Sequence, residues 1–136
     1  MTIINKAVWS TCGEIDYKKY AWSAVSAVAT LRPDDIVEFG GKQTVVNVVK
    51  VPTTTIDDIV SDLGLNRLDL IKMDIEGSEI EAIKGAKNTL IKFKPKLAIA
   101  AYHEIPPTYK KSYEILAPML KELGYNIKIE KIGEEF

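Results

Sequence analysis

The chain has 136 residues, 46% hydrophobic and 27% charged, which suits one soluble globular domain with a core of its own. Its 18 Lys and Arg stand against 19 Asp and Glu, a formal net charge of -1, so there is no general electrostatic pull toward nucleic acid or an anionic membrane. The single cysteine, Cys12, excludes an intramolecular disulfide and a cysteine-built metal cluster; with no signal-like N-terminus and no apolar run near the ~20 residues of a membrane span, a cytoplasmic protein is expected.

Thr2 to Trp9 reads as a strand, Cys12-Gly13 as a turn, and Glu14 to Tyr20 as a second short extended piece. Tyr20 to Leu31 is ambiguous, since its Ala and Ser allow helix while Val, Thr and Trp suit strand. The β-rich runs Ile36 to Phe39 and Thr44 to Val51 flank Gly40-Gly41, which predicts a β-hairpin in the N-terminal half.

Thr55 opens the first clear helix, with Asp58 at capping-box spacing and Ile56, Ile59, Val60 and Leu63 on one face. Gly64 stops it. Leu68 to Ile75 reads as a buried strand. Ser78 and Glu81 have the spacing of another capping box, and the helix that follows turns Ile83, Ala86, Leu90 and Phe93 inward until Pro95. Lys96 to Tyr102 is an almost continuous apolar strand, as expected where both sheet faces are covered. A helix from about Tyr109 to Leu123 contains Pro118, which should kink or split it, and Gly124 ends it. Tyr125 to Ile132 alternates like a final, half-exposed strand.

From Thr55 onward, helix and strand alternate. This predicts an α/β fold with a mostly parallel sheet flanked by helices, and ligands beyond the C-terminal strand ends. Two such ends carry polar groups: Asp74 and Glu76 after one strand, His103 and Glu104 after the next. Carboxylates at Asp74 and Glu76 can orient a charged ligand, bind a divalent ion, act as a general base or cap the next helix. His103, the only histidine, has the side-chain type for a base near neutrality, or serves as a hydrogen-bonded structural residue. Glu104 reads as a solvated surface charge and Glu79 as a helix cap or helix ion pair. No metal ligand is assigned.

The segments Thr55-Ile56-Asp57-Asp58, Asp69-Leu70-Ile71-Lys72-Met73-Asp74-Ile75-Glu76-Gly77-Ser78-Glu79 and Ile83-Lys84-Gly85-Ala86 together resemble the FkbM methyltransferase family. Asn5-Lys6-Ala7-Val8-Trp9 is similar to that family's third strand and following turn, and Ala101-Tyr102-His103 to the end of its fifth strand in some members. The resemblance implies a Rossmann-like class I methyltransferase fold using S-adenosylmethionine, O-directed chemistry, and a small-molecule or glycan acceptor. It implies Asp74, Glu76 and His103 as catalytic candidates, and Asn5, Ala7 and Asp74 as cofactor contacts. The chain departs from the pattern in having no glycine-rich cofactor turn before Asn5. The whole of 1–136 is thus expected to be a single truncated domain whose uncovered surface calls for a second copy or a partner subunit. The alternative expectation is a non-catalytic, methyltransferase-like subunit that works through oligomerisation.

Overall fold

In the computed structural model, the described residues are 1–19, 38–39, 42–43, 47–105 and 107–131. The first strand is short: β1, Ala7–Val8, pairs in parallel with β5, Asn47–Thr54. The rest of the expected Thr2–Trp9 strand lies outside the ladder. β2, Gly13–Lys19, runs antiparallel to the other edge of β5, from Gly13 opposite Thr53 to Lys19 opposite Asn47. A short hairpin is present where one is predicted, as β3, Glu38–Phe39, paired antiparallel with β4, Lys42–Gln43, but its second arm is not the expected Thr44 to Val51 run: Asn47 to Val51 belong to β5 and pair with β2. Gly40 and Gly41 fall outside the described residues, as does the ambiguous stretch after Tyr20.

Helix α1, Ile56–Asp62, starts as its sequence demands. Asp58 N donates to Thr55 Oγ1 at 3.0 Å, and that hydroxyl donates to Asp58 Oδ2 at 2.7 Å. The helix ends in a Schellman motif: Gly64, at φ 60°, sends its N–H to Ser61 O, and Leu65 N donates to Val60 O. The helix rides on the surface, with Ile56 against the core and Leu63 44% exposed.

The core lies between a parallel pair and the remaining helices. β6, Leu70–Met73, pairs with β7, Lys96–Ile99, from Leu70 opposite Lys96 to Met73 opposite Ile99. Ile71, Met73, Leu97 and Ile99 turn toward Ile80, Ile83, Leu90, Leu116 and Leu120. Burying an Ile or Leu side chain contributes about 1.5–3 kcal/mol, so this cluster carries the stability of this half of the chain. The opposite face of the pair is bare: Leu70 is 57% exposed, and Lys72 and Ala98 are exposed beside it. Among the described residues, cover on both faces, expected from the apolar run, is therefore not found.

The single helix expected between Ser78 and Pro95 is two: α2, Glu79–Lys84, and α3, Lys87–Phe93. The glycine at the break has a packing cause. A Cβ on Gly85 would lie 2.3 Å from Trp9 O and 3.1 Å from the Thr55 Cβ, so backbone from the first sheet occupies the place of a side chain. Gly85 O accepts from Asp57 N at 3.0 Å, and the Asp57 carboxylate accepts from Thr89 N at 2.8 Å and Asn88 N at 3.1 Å, capping α3.

Beyond β7, the strands β8, Glu104–Ile105, and β9, Lys110–Lys111, form a small hairpin that leads into α4, Ser112–Glu122. The helix runs unsplit through Pro118. Pro118 and Glu114, whose carbonyl loses its partner, both face solvent, while Leu116 and Leu120 hold the buried side. Gly124, at φ 82°, closes α4 with a second Schellman motif.

Tyr125 to Lys131 keeps the alternation seen in the sequence, with Tyr125 and Ile127 against the core, but forms no strand ladder. The sheets are consequently small and mixed. Among the described residues β1–β5 and β6–β7 are parallel, and β2–β5, β3–β4 and β8–β9 antiparallel. The fold is mixed α/β with four helices; a single, mostly parallel sheet is not assembled among these residues. No helix among them is long and apolar enough to cross a membrane.

Two measurements test this account. Gly85→Ala should destabilise the protein by about 1–3 kcal/mol in urea unfolding, because the new methyl group meets backbone that cannot rotate away. The second concerns Asp58, whose carboxyl is held below its ordinary 3.8 by hydrogen bonds from Cys12 Sγ, at 2.9 Å, and from Thr55. A depressed carboxyl contributes stability that is complete above the unfolded value and is lost as pH falls through the folded one. Cys12→Ala should therefore lower the urea midpoint at neutral pH and leave it unchanged well below 3.8.

Candidate functional site

The parallel register of β6 and β7 brings two strand ends side by side, and Ala100 N extends the ladder by donating to Met73 O at 2.9 Å. Asp74 to Ser78 leaves one end and Ala100 to His103 the other. The first of these segments turns sharply: Glu76 has φ 55° and Gly77 φ 95°. Left-handed backbone is natural for glycine but costs a residue with a Cβ, so Glu76 is held there by its surroundings. A Cβ on Gly77 would only touch Ile105 and His103 at ordinary contact distance, so its φ rather than space calls for glycine.

The turn is closed from below by Glu79. Ser78 does not cap α2 with its hydroxyl, and the capping box expected with Glu81 does not form. The Glu79 carboxylate instead reaches back to accept from Ile75 N at 2.8 Å. Glu81 pairs with Lys84; burial works against the charge of Glu81, but hydrogen bonds from Lys84 and Ser10 outweigh it and hold the carboxyl below its ordinary range.

The second strand end is fixed by α4. Ser112 N donates to His103 O at 2.7 Å and Tyr113 N to Ala101 O at 2.9 Å. The His103 ring packs against that of Tyr102, with centroids 4.2 Å apart. These anchors point the imidazole at the turn. Its Nε2 lies 3.3 Å from Glu76 Oε2, and its Nδ1 lies 3.6 Å from Glu79 Oε1. Neither contact has hydrogen-bond geometry, and both ring nitrogens are shielded from solvent. Asp74, exposed, completes the group: one ligand atom each from Asp74, Glu76 and His103 lie within 4.8 Å of one another.

The structure thus brings together the three catalytic candidates read from the sequence. Among the described residues, no hydrogen bond or ion pair links Asn5 or Ala7 to them. Asn5 is exposed before β1, and Ala7 sits in β1 opposite Thr53. Glu104 pairs with Lys111 at 3.1 Å on the surface, as its reading as a solvated charge implies. Lys72 and Asp74 form no ion pair. Sequence reasoning placed Glu79 as a helix cap or in a helix ion pair; its carboxylate instead holds Ile75 N in the turn ahead of the helix, and it lies wholly buried beneath the histidine. A groove of about 820 Å³ starts at Asp74 and runs between β7 and Tyr125 to Glu130, with Tyr102, Tyr113 and Leu116 in its wall. That volume is in the range of small-molecule sites.

Residues 11–127 match the methyltransferase FkbM domain. A stretch of 44 residues is 46% identical to 2-O-methyltransferase NoeI of Sinorhizobium fredii (strain NBRC 101917 / NGR234), covering 32% of this chain and 18% of that protein. No solved structure matches.

The strained turn yields a prediction. Glu76→Gly removes the contact with His103, worth little at an exposed position, and also removes the strain of a left-handed Cβ, about 1–2 kcal/mol. The variant should be as stable as the parent or more so in thermal unfolding; a clear loss would mean that the Glu76–His103 pair holds the turn together.

Proposed function

We propose that this chain, which belongs to the FkbM methyltransferase family, transfers a methyl group from S-adenosylmethionine to a hydroxyl oxygen of a small-molecule or glycan acceptor, within a Rossmann-like fold. The observation that carries this reading is the convergence of Asp74, Glu76 and His103 at the ends of adjacent parallel strands, where α/β sheets bind their ligands. The O-directed part draws on the 2-O-methyltransferase similarity.

S-adenosylmethionine supplies a methyl group activated by a sulfonium. The residues present suit its charged end: Asp74 and Glu76 are exposed carboxylates able to accept from an ammonium and to favour nearby positive charge. Asn5 and Ala7 are the proposed adenine contacts. The proton of the acceptor hydroxyl passes to the Glu76–His103 pair, entered through the exposed Glu76 carboxylate, whose Oε2 lies 3.3 Å from His103 Nε2. Methyl transfer otherwise asks for alignment of the two reactants. On this reading a second copy of the chain completes the cofactor site.

A second reading is a methyltransferase-like subunit without activity of its own. It is favoured by the bare outer face at Leu70, Lys72 and Ala98, which is suited to burial against another chain. Titration calorimetry separates the two. S-adenosylmethionine should bind the purified chain with a Kd of about micromolar order, and Asp74→Ala should abolish the heat. A folded chain that binds none up to about millimolar donor would favour the subunit.

A further inference from the structure

We propose that Asp74, Glu76 and His103 form a binding site for a divalent transition-metal ion of the Mn2+ or Zn2+ kind, with Glu79 as the residue that orients the imidazole. Two segments of backbone distant in sequence deliver the donors. Asp74 follows β6, Glu76 sits in the left-handed turn, and His103 follows β7, yet their ligand atoms gather within 4.8 Å. Metal bonds of about 2.0–2.2 Å would draw them closer, and the two exposed carboxylates have the freedom to rotate inward.

The buried side of the cluster is an independent observation. Glu79 is 0% exposed, and its Oε2 has no hydrogen-bond partner among the described residues. Its Oε1 faces His103 Nδ1 at 3.6 Å while the opposite ring nitrogen, Nε2, faces Glu76. A carboxylate behind the histidine, the histidine ring, then a cluster of oxygen donors is the order that fixes the tautomer presenting a lone pair to a metal. An ion pair between His103 and Glu76 alone would leave Asp74 unused and both ring nitrogens without a hydrogen bond, as they are now. Burying such groups is costly unless something compensates them.

The donor set indicates the ion. One imidazole and two carboxylates favour Mn2+ or Zn2+ over Mg2+ or Ca2+, which prefer oxygen alone. Three protein ligands leave positions open to water or a ligand oxygen. If the methyl-transfer reading holds, an acceptor hydroxyl bound there becomes easier to deprotonate. The ion site itself does not rest on that reading.

The test uses the full chain, without S-adenosylmethionine, titrated with Mn2+ and followed by the paramagnetic resonance of the free ion. One Mn2+ should bind per chain, be displaced by equimolar Zn2+ and resist equimolar Mg2+. Asp74→Asn and His103→Gln should each weaken binding at least ~10-fold, and Glu79→Gln by ~10- to 100-fold although Glu79 touches no ion. Circular dichroism checks that each variant is folded; should Glu79→Gln unfold, Asp74→Asn, at an exposed position, decides. A folded parent chain that retains no Mn2+, or equal affinity in Asp74→Asn and His103→Gln, overturns the proposal. Titration of S-adenosylmethionine in excess chelator reports on the methyl-donor reading alone, so the two ideas fail separately.

Discussion

The structure turns on one close approach, where the carbonyl of Trp9 occupies the space that a side chain would need at Gly85. That contact sets the first sheet against the helical layer. It also fixes the residue between the two helices after Ser78 as glycine, because a Cβ there would collide with that carbonyl. Asp57 completes the joint from a third element: its N–H satisfies the carbonyl of Gly85, and its carboxylate satisfies the first amides of α3. A helix end that would otherwise leave unpaired groups is thereby closed by residues distant in sequence. Two family segments, the Thr-Ile-Asp-Asp start and the Lys-Gly-Ala run, meet at this joint.

Features governed by neighbours in sequence were legible. Thr55 and Asp58 form the cap that their spacing predicts, and Gly64 and Gly124 end helices through the left-handed backbone that glycine tolerates. Features governed by distant contacts were not. Ser78 and Glu81 have equally good spacing, but the Ser78 amide is taken by the carbonyl of Ile75, and Glu81 is drawn to Lys84. Pro118 looked disruptive because its cost was judged without knowing that it faces water. Tyr125 to Lys131 alternates as a strand should, but alternation reports which side chains meet the core; a strand also needs a neighbour to bond.

The site divides the same way. Asp74, Glu76 and His103 could be named from sequence because strand ends in an alternating α/β pattern are local predictions, and the parallel register does the rest. Asn5 and Ala7 rested on resemblance, and nothing in their surroundings among the described residues ties them to the cluster. The burial of Glu79 had no local signal, since it depends on where the chain after β7 returns, some two dozen residues later.

Glu79 carries a consequence for how this sequence can vary. One oxygen of its carboxylate ends the turn by holding Ile75 N, and the same oxygen lies 3.6 Å from His103 Nδ1. A change at 79 is therefore felt in the path of the backbone and in the environment of the imidazole at once. Substitutions at 76 and 103 will have effects that depend on which residue occupies 79, so the three positions form an epistatic unit, and drift through any one of them is conditional on the other two.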